Sequence, residues 1–295
     1  MPFEKILACV DFSDISDAVV DSAALFAKTF NSKLYLLTVV ERPVPLIHEG
    51  LEDLIEPTEI ELLIELEKDL KKEAEEKLSR YASYLAEKGL EVQYIVEVAD
   101  IVDGILDNIE KLNVDLAVLG SHKKGLLDKL LLGSVTEKVI NKAPTSTLVV
   151  KGKKIDHIQK LLVGYDFLPS SKQALEVASY IAEKFNSEIF IVHADTDSSV
   201  IHIKSIYETV KNKKVKLLKQ ILKELEEKGI KASYEILEER PLEAILEEIE
   251  KYHPDLTVVG KRKSSKLKRL FLGSTAMKIV KHAPNSVLVV RKSDE

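Results

Sequence analysis

The sequence lacks most of the features that mark a secreted or membrane-spanning protein. Its 295 residues include a single cysteine, Cys9, so no disulfide can form within the chain, which suits a reducing compartment. No apolar run approaches the roughly 18–20 residues that cross a bilayer. The first residues, MPFEKILACV, begin a predicted strand and do not have the layout of a signal peptide. We therefore expect a soluble, cytoplasmic protein.

A strong excess of positive charge is also missing, which argues against a dedicated nucleic-acid binder. The formal net charge is −6, divided into −11 for residues 1–151 and +5 for residues 152–295. Opposite charge could help the two halves associate, although exposed charges are screened beyond about 8 Å. Sequence divergence between duplicated domains would also explain the difference in net charge between the halves. The seven histidines show no spacing typical of a metal site.

What the sequence does contain is a long internal repeat. Residues 115–144 read DLAVLGSHKKGLLDKLLLGSVTEKVINKAP, and residues 255–284 read DLTVVGKRKSSKLKRLFLGSTAMKIVKHAP. Near the beginning of each half, equivalent residues lie further apart in the sequence than they do in these two stretches, since Asp11 recurs as Asp166. The repeat predicts two domains, 1–151 and 152–295, with extra residues inserted in the first.

Each half is predicted to contain five strands, which alternate with helices along the sequence. Short apolar runs alternate with stretches whose apolar residues recur at i, i+3 and i+4. This pattern predicts an α/β fold of two tandem, five-stranded parallel sheets with helices on both faces, Rossmann-like with the order 3-2-1-4-5. Ser13 is predicted to cap a first helix over about residues 14–30.

The order 3-2-1-4-5 places a ligand crevice between strands 1 and 4, where the strand order reverses. In the first half these strands end at Asp11 and Gly120. Ser134, with Glu137 three residues later, is typical of a capping box and predicts a helix start. The unpaired N–H groups and dipole of such a helix favour anions. The repeat therefore predicts an anion site in each half.

On these residues the chain resembles the universal stress protein family in its tandem two-domain form, over nearly its whole length. In the nucleotide-binding branch of that family, an Asp after strand 1 holds adenine or ribose, and a G-x2-G-x9-G-[ST] loop holds ribose and phosphates. The resemblance implies ATP or AMP as ligand, with Mg²⁺ as an allowed companion. It also implies that the strand-5 segments, 146–151 and 286–290, pair as an intrachain pseudo-dimer, and that a homodimer is a further possibility.

Fourteen residues form the predicted nucleotide sites. They are Asp11, Val39, Gly120, His122, Lys123, Gly133, Ser134, Val135 and Thr136 in the first half, and Asp166, Gly260, Lys263, Gly273 and Ser274 in the second. Lys123 and Lys263 stand where the family motif has its second glycine. They could hold phosphates by charge, or the loop could be reshaped away from ATP.

Three functions remain open from the sequence. The first is a stress-response protein that binds an adenine nucleotide with little or no turnover, because no general base or nucleophile is placed. The second is an interaction scaffold of the same fold with degenerate sites, in which Asp11 and the Gly–Ser pair serve only turns and helix starts. The third, a ligase or pyrophosphatase, is disfavoured, since DFSDIS follows strand 1 instead of a Ser/Gly-rich loop.

Overall fold

A continuous sheet of ten strands runs through the described part of the chain. The structure is a computed structural model, and it describes residues 3–43, 57–121, 132–196, 204–261 and 273–291. Residues 1–151 are called the first half below, and residues 152–295 the second half. Among the described residues, no helix is both long and apolar enough to cross a membrane.

The first half contributes five of these strands. Its elements are β1 (Lys5–Cys9), α1 (Ser16–Phe30), β2 (Lys33–Val40), α2 (Pro57–Glu87), β3 (Val92–Val98), α3 (Ile101–Leu112), β4 (Leu116–Ser121), α4 (Ser134–Lys142) and β5 (Ser146–Lys151).

The second half repeats the same succession. Its elements are β6 (Lys160–Gly164), α5 (Pro169–Phe185), β7 (Glu188–Ala194), α6 (Lys204–Glu227), β8 (Ala232–Leu237), α7 (Pro241–Tyr252), β9 (Leu256–Lys261), α8 (Ser274–His282) and β10 (Ser286–Arg291).

The strands lie in the order β3-β2-β1-β4-β5-β10-β9-β6-β7-β8. Within each half they are parallel, and β1 lies between β2 and β4, as β6 lies between β7 and β9. The α/β fold class is confirmed, and each half has the expected order 3-2-1-4-5. The order reverses beside β1 and β6, so a crevice is expected at their carboxyl ends.

The two halves meet through their fifth strands. β5 and β10 are antiparallel, with Leu148 opposite Leu288. The backbone N–H of Lys151 donates to the Ser286 hydroxyl (3.2 Å), and that of Arg291 donates to the Ser146 hydroxyl (3.1 Å). This pairing is the intrachain pseudo-dimer that the resemblance implied, and it buries two sheet edges that would otherwise be open to other chains.

Alternate side chains of each strand face opposite layers of helices. Ile6 and Ala8 of β1 pack with α1 on one face, whereas Leu7 packs with α3 and α4 on the other. On the first face the halves share an aromatic cluster, in which Phe30 stacks on Tyr180 with 5.3 Å between the ring centroids. Such pairs add about 0.5–1.5 kcal/mol to the burial of the rings.

Two predicted helix starts need correction. Ser13 does not cap α1, because α1 begins at Ser16 with Ile15 as its N-cap residue. Ser134 does begin α4, but Gly133 is the N-cap residue and the predicted capping box is not formed. The Glu137 carboxylate instead lies 2.8 Å from the ammonium of Lys281, on α8 of the other half.

Candidate functional site

Asp11 lies two residues after the end of β1, at the edge of the sheet where the strand order reverses. Its Oδ1 accepts hydrogen bonds from the Ser13 N–H (3.1 Å), the Ser13 hydroxyl (2.6 Å) and the Ser16 hydroxyl (3.0 Å). These bonds explain why Ser13 is not a cap, since its side chain is already occupied. They also fix the position of a carboxylate that remains exposed.

The residue after this Asp has a left-handed backbone in both halves. Phe12 has a φ of 58° and Phe167 a φ of 62°. A bulky residue in this region is an outlier, and outliers of this kind cluster at functional sites. The repeated conformation shows that the two halves turn in the same way directly beside Asp11 and Asp166.

The helix α4 faces Asp11 from the other side of the crevice. It is tied to β4 by the Thr136 hydroxyl, which donates to the backbone oxygen of Gly120 at 2.9 Å. Its first turn begins at Ser134, and Gly133 precedes it in extended conformation. The N–H groups of that turn have no partner within the helix, and the helix dipole makes this end attractive to anions.

A cavity of about 260 Å³ lies between these elements. Asp11, Gly120 and the first turn of α4 form its polar part, and apolar side chains on or next to β1, α1, β2, α3 and β4 form the rest. The lining residues are Cys9, Val10, Asp11, Ile15, Val19, Leu37, Val39, Ile101, Ile105, Leu119, Gly120, Gly133, Ser134, Val135 and Thr136.

Two glycines allow the strands and helices around this cavity to pack closely against each other. A Cβ on Gly104 of α3 would lie 3.0 Å from the Val39 side chain. A Cβ on Gly120 would lie 2.6 Å from the Cγ2 of Ile15. Close packing against Ile15 is therefore one reason for a glycine at position 120 of the predicted motif, in addition to any approach of a ligand.

Cys9 forms part of the apolar wall. Burial, with a smaller contribution from the Asp11 carboxylate, raises the pKa of its thiol to about 12. The thiol therefore remains protonated at neutral pH, and it is a poor nucleophile. Cys9 behaves as a small apolar group that narrows the cavity beside Val39.

The second half has an equivalent cavity of about 160 Å³. Asp166 lies at one end, where its Oδ1 accepts from the Leu168 N–H at 3.0 Å. Gly260, Gly273 and Ser274 line the cavity as their counterparts do in the first half. The matched positions therefore come together in space in both halves.

The structure thus brings eleven of the fourteen predicted residues into two cavities. His122, Lys123 and Lys263 lie outside the described residues. Sequence reasoning missed the wall residues Ile15 and Ile105, whose apolar periodicity indicated only core. In the part of the chain that the structure describes, no group of three or more His, Cys, Asp or Glu side chains could hold a metal ion.

Comparisons with known proteins agree with this geometry. The model of the universal stress protein family matches residues 2–151 and again residues 157–291. Universal stress protein MJ0577 of Methanocaldococcus jannaschii is 32% identical over 157 residues, which cover 51% of this chain and 96% of that protein. Universal stress protein YxiE of Bacillus subtilis is 29% identical over 149 residues, covering 50% and 99% respectively.

A solved structure matches the whole tandem arrangement. The crystal structure of a universal stress protein from Archaeoglobus fulgidus covers 99% of this chain and 100% of its own, with a TM-score of 0.76 and 22% identity. At that identity the likeness concerns the fold.

Proposed function

Because the chain belongs to the universal stress protein family, we propose that it is a stress-response protein whose first half binds an adenine nucleotide, ATP or AMP. The proposed site is the first-half cavity. The observation that carries the proposal is the position of Asp11 across one cavity from the first turn of α4, with an apolar wall between them.

Each part of that cavity suits one part of a nucleotide. The apolar wall, which includes Val39 and Ile105, suits the faces of a base. The fixed carboxylate of Asp11 suits ribose hydroxyls or the exocyclic amine of adenine, which donate hydrogen bonds. The first turn of α4, with Gly133 and Ser134, suits the phosphates. A Mg²⁺ ion bound to the phosphates would neutralise part of their charge.

The proposed role is binding, with slow turnover at most. Among the described lining residues there is no histidine, and the Cys9 thiol is held in its protonated form. Among these described residues, therefore, neither a histidine base nor a thiolate nucleophile stands beside the place proposed for the phosphates. We further propose that residues 1–151 and 152–295 are the two domains and that the protein acts in the cytoplasm.

Calorimetric titration with ATP and AMP tests this proposal. The wild-type protein should bind one of them, and Asp11→Asn should weaken binding by at least about tenfold, since it removes a charged hydrogen-bond acceptor. Asp166→Asn makes the same change in the second half and is the matched control for the first site. Absence of heat and of a thermal shift at millimolar nucleotide would contradict the proposal.

An interaction scaffold without bound nucleotide is the second candidate. Lys123 and Lys263 favour it, because both occupy motif positions where a glycine would let the backbone approach a phosphate. The variant Lys123→Gly separates the two candidates. If ATP or AMP binds only to Lys123→Gly, the natural protein is the scaffold; if the wild type binds as well as the variant, it is the nucleotide-binding protein.

A further inference from the structure

The N-terminal half of α2 carries an exposed apolar surface that is bordered by acidic side chains. Leu62, Leu66 and Leu70 recur at i, i+4 and i+8, so they lie on one face of the helix, and they are 65%, 47% and 36% exposed. Glu65 and Asp69, which are also exposed, lie along one side of them. These five residues are called the acidic stripe below. Single exposed leucines are ordinary, but a contiguous apolar patch with a charged border is typical of an interaction surface.

The equivalent face of α6 is also apolar, but its charge is reversed. Ile206 and Leu217 lie on one face of α6, three turns apart, and both are 49% exposed. Lys213 lies between them, where the repeat has Glu73 in α2, and Lys216 borders the same face. Both lysines are exposed. Ile206, Lys213, Lys216 and Leu217 are called the basic stripe below.

A groove of about 440 Å³ between α5 and α6 adjoins the basic stripe. Leu217 belongs to both, and Leu175, Ile221 and Leu225 continue the apolar lining of the groove. Two lysines and two glutamates also line it, namely Lys172, Lys228, Glu176 and Glu224. These four charges balance, so the positive sign of this surface comes from the basic stripe. A groove between two helices accepts a row of apolar side chains from a third helix.

The two stripes of one chain lie too far apart to meet. α2 packs over β2 and β3, and α6 packs over β8. β3 and β8 are the outermost strands of the ten-stranded sheet, whose spacing separates them by about 40 Å. The fifth strands are already paired with each other within the chain. A surface complementary to either stripe must therefore come from another molecule, and a second copy of this chain carries one.

We propose that copies of this chain associate through these surfaces, with α2 of one copy docked on α5 and α6 of another. The leucines of the acidic stripe enter the groove beside Leu217. Glu65 and Asp69 then face Lys213 and Lys216 of the second copy. Contact between two acidic stripes or between two basic stripes is disfavoured, because it places like charges together. The contact is therefore made between the first half of one copy and the second half of another.

Sedimentation velocity of the full chain measures this association. The wild type should form assemblies larger than a monomer at micromolar concentration. Raising the salt from about 0.1 M to about 1 M should weaken association by at least about tenfold, because the Debye length falls from about 10 Å to about 3 Å. Leu62→Ser/Leu66→Ser should also weaken association by at least about tenfold, since the apolar area that it buries is lost.

Reversing the charges identifies which surfaces meet. Glu65→Lys/Asp69→Lys and Lys213→Glu/Lys216→Glu should each weaken association by at least about tenfold, because each places like charges on both sides of the contact. An equimolar mixture of the two variants should associate again, since the reversed stripe of each variant meets its complement on the other. Thermal unfolding checks that each variant remains folded.

A matched control separates the stripes from the net charge of the chain. Asp107→Lys/Glu110→Lys changes two exposed acidic residues of α3, which belongs to the helix layer on the opposite face of the sheet. It alters the net charge by the same amount as Glu65→Lys/Asp69→Lys, and it should associate as the wild type does.

Three results would overturn the inference. A wild type that stays monomeric at every concentration would leave both stripes available to a different protein. Equal weakening by the α3 control would make the effect one of net charge. A mixture of the two charge-reversed variants that stays monomeric, or full association of the chain with the reversed basic stripe, would mean that α2 does not dock on α6.

Discussion

The ammonium group of Lys261, in the second half, donates a hydrogen bond to the backbone oxygen of Ile140, in the first half, at 2.6 Å. It also donates to Ala143 at 3.1 Å. In the other direction, Lys151 of β5 donates to the backbone oxygen of Ala283 at 2.6 Å. Each half therefore supplies a cation to the C-terminal end of the other half's α4 or α8, where the helix dipole favours positive charge.

These two lysines should make the stability of the protein depend on pH. Burial lowers the pKa of both ammonium groups from 10.5 to about 8, and for Lys261 the nearby Arg291 contributes. Below pH 8 both the folded and unfolded states hold the protons, so the cost of burying the charge is fully present. Between pH 8 and 10.5 the unfolded state binds more protons than the folded state. The free energy of unfolding should therefore rise with pH across this range.

The measurement is urea unfolding of the wild type and of the double variant Lys151→Met/Lys261→Met across this window. The difference between the two free energies of unfolding should grow in favour of the wild type from pH 8 to 10.5, because other titrating groups contribute equally and cancel. Lys28→Met, on the exposed face of α1, controls for the loss of a surface lysine. A difference that is constant with pH would show that the buried ammonium groups do not titrate as described.

Replacing equivalent glycines should have unequal effects in the two halves. In Gly260→Ala the new methyl group would meet the backbone of Ser170 at 2.2 Å, which only a shift of α5 could relieve. In Gly120→Ala it would meet the Cγ2 methyl group of Ile15 at 2.6 Å, which a shift of that one side chain could relieve. We expect Gly260→Ala to lower the free energy of unfolding by about 3 kcal/mol and Gly120→Ala by about 1 kcal/mol.

Urea denaturation of the two glycine variants under the same conditions is the check. Each serves as the control for the other, because the change in chain entropy on replacing glycine by alanine is the same in both. Equal losses of stability would mean that α5 adapts as easily as a single side chain.

The sequence predicted how the strands are arranged, and hence which residues meet. Asp11 and Gly120 could be placed at one crevice because a parallel sheet with order 3-2-1-4-5 brings the ends of strands 1 and 4 together. Apolar runs and helix breaks are local signals, and they are repeated here in two copies, which makes the fold accessible from sequence.

Contacts that depend on competition between side chains could not be predicted. Ser13 has the chemistry of a helix cap, but its hydroxyl bonds to Asp11, two residues away. Glu137 matches a capping box, but it pairs with Lys281 across the halves. The contact between Lys261 and Ile140 depends on the β5–β10 pairing, and nothing in the local sequence around either residue indicates it.

A buried ion pair in the second half should behave as a unit. Lys214 of α6 lies 2.9 Å from the carboxylate of Asp195, whose side chain is fully buried. Their counterparts in the first half are the apolar Val40 and Ala74. Lys214→Ala alone should therefore lower the free energy of unfolding by about 3 kcal/mol, because it removes the ammonium group that lies 2.9 Å from a buried carboxylate.

The double variant Asp195→Val/Lys214→Ala, which installs the first-half residues, should be within about 1 kcal/mol of the wild type. A double-mutant cycle by urea unfolding measures the coupling between the two positions. If the effects of Asp195→Val and Lys214→Ala on the free energy of unfolding simply add, the pair does not stabilise the fold through direct contact.

The C-terminal caps of α3 and α7 offer a test of backbone strain. Asn113 and His253 occupy equivalent positions after these helices, and both have a φ of 51°. Asparagine tolerates this left-handed conformation, whereas histidine does so at greater cost and glycine at none. His253 is exposed, so replacing it removes little packing. His253→Gly should therefore raise the free energy of unfolding by about 0.5–1 kcal/mol, after allowing for the greater entropy that glycine adds to the unfolded chain.

Asn113→Gly is the matched change in the first half, and it should alter stability by less than about half that amount because asparagine already relieves most of the strain. Urea unfolding of both variants beside the wild type decides between the outcomes. A loss of stability in His253→Gly would mean that the histidine side chain makes a favourable contribution at the end of α7 that outweighs its backbone strain.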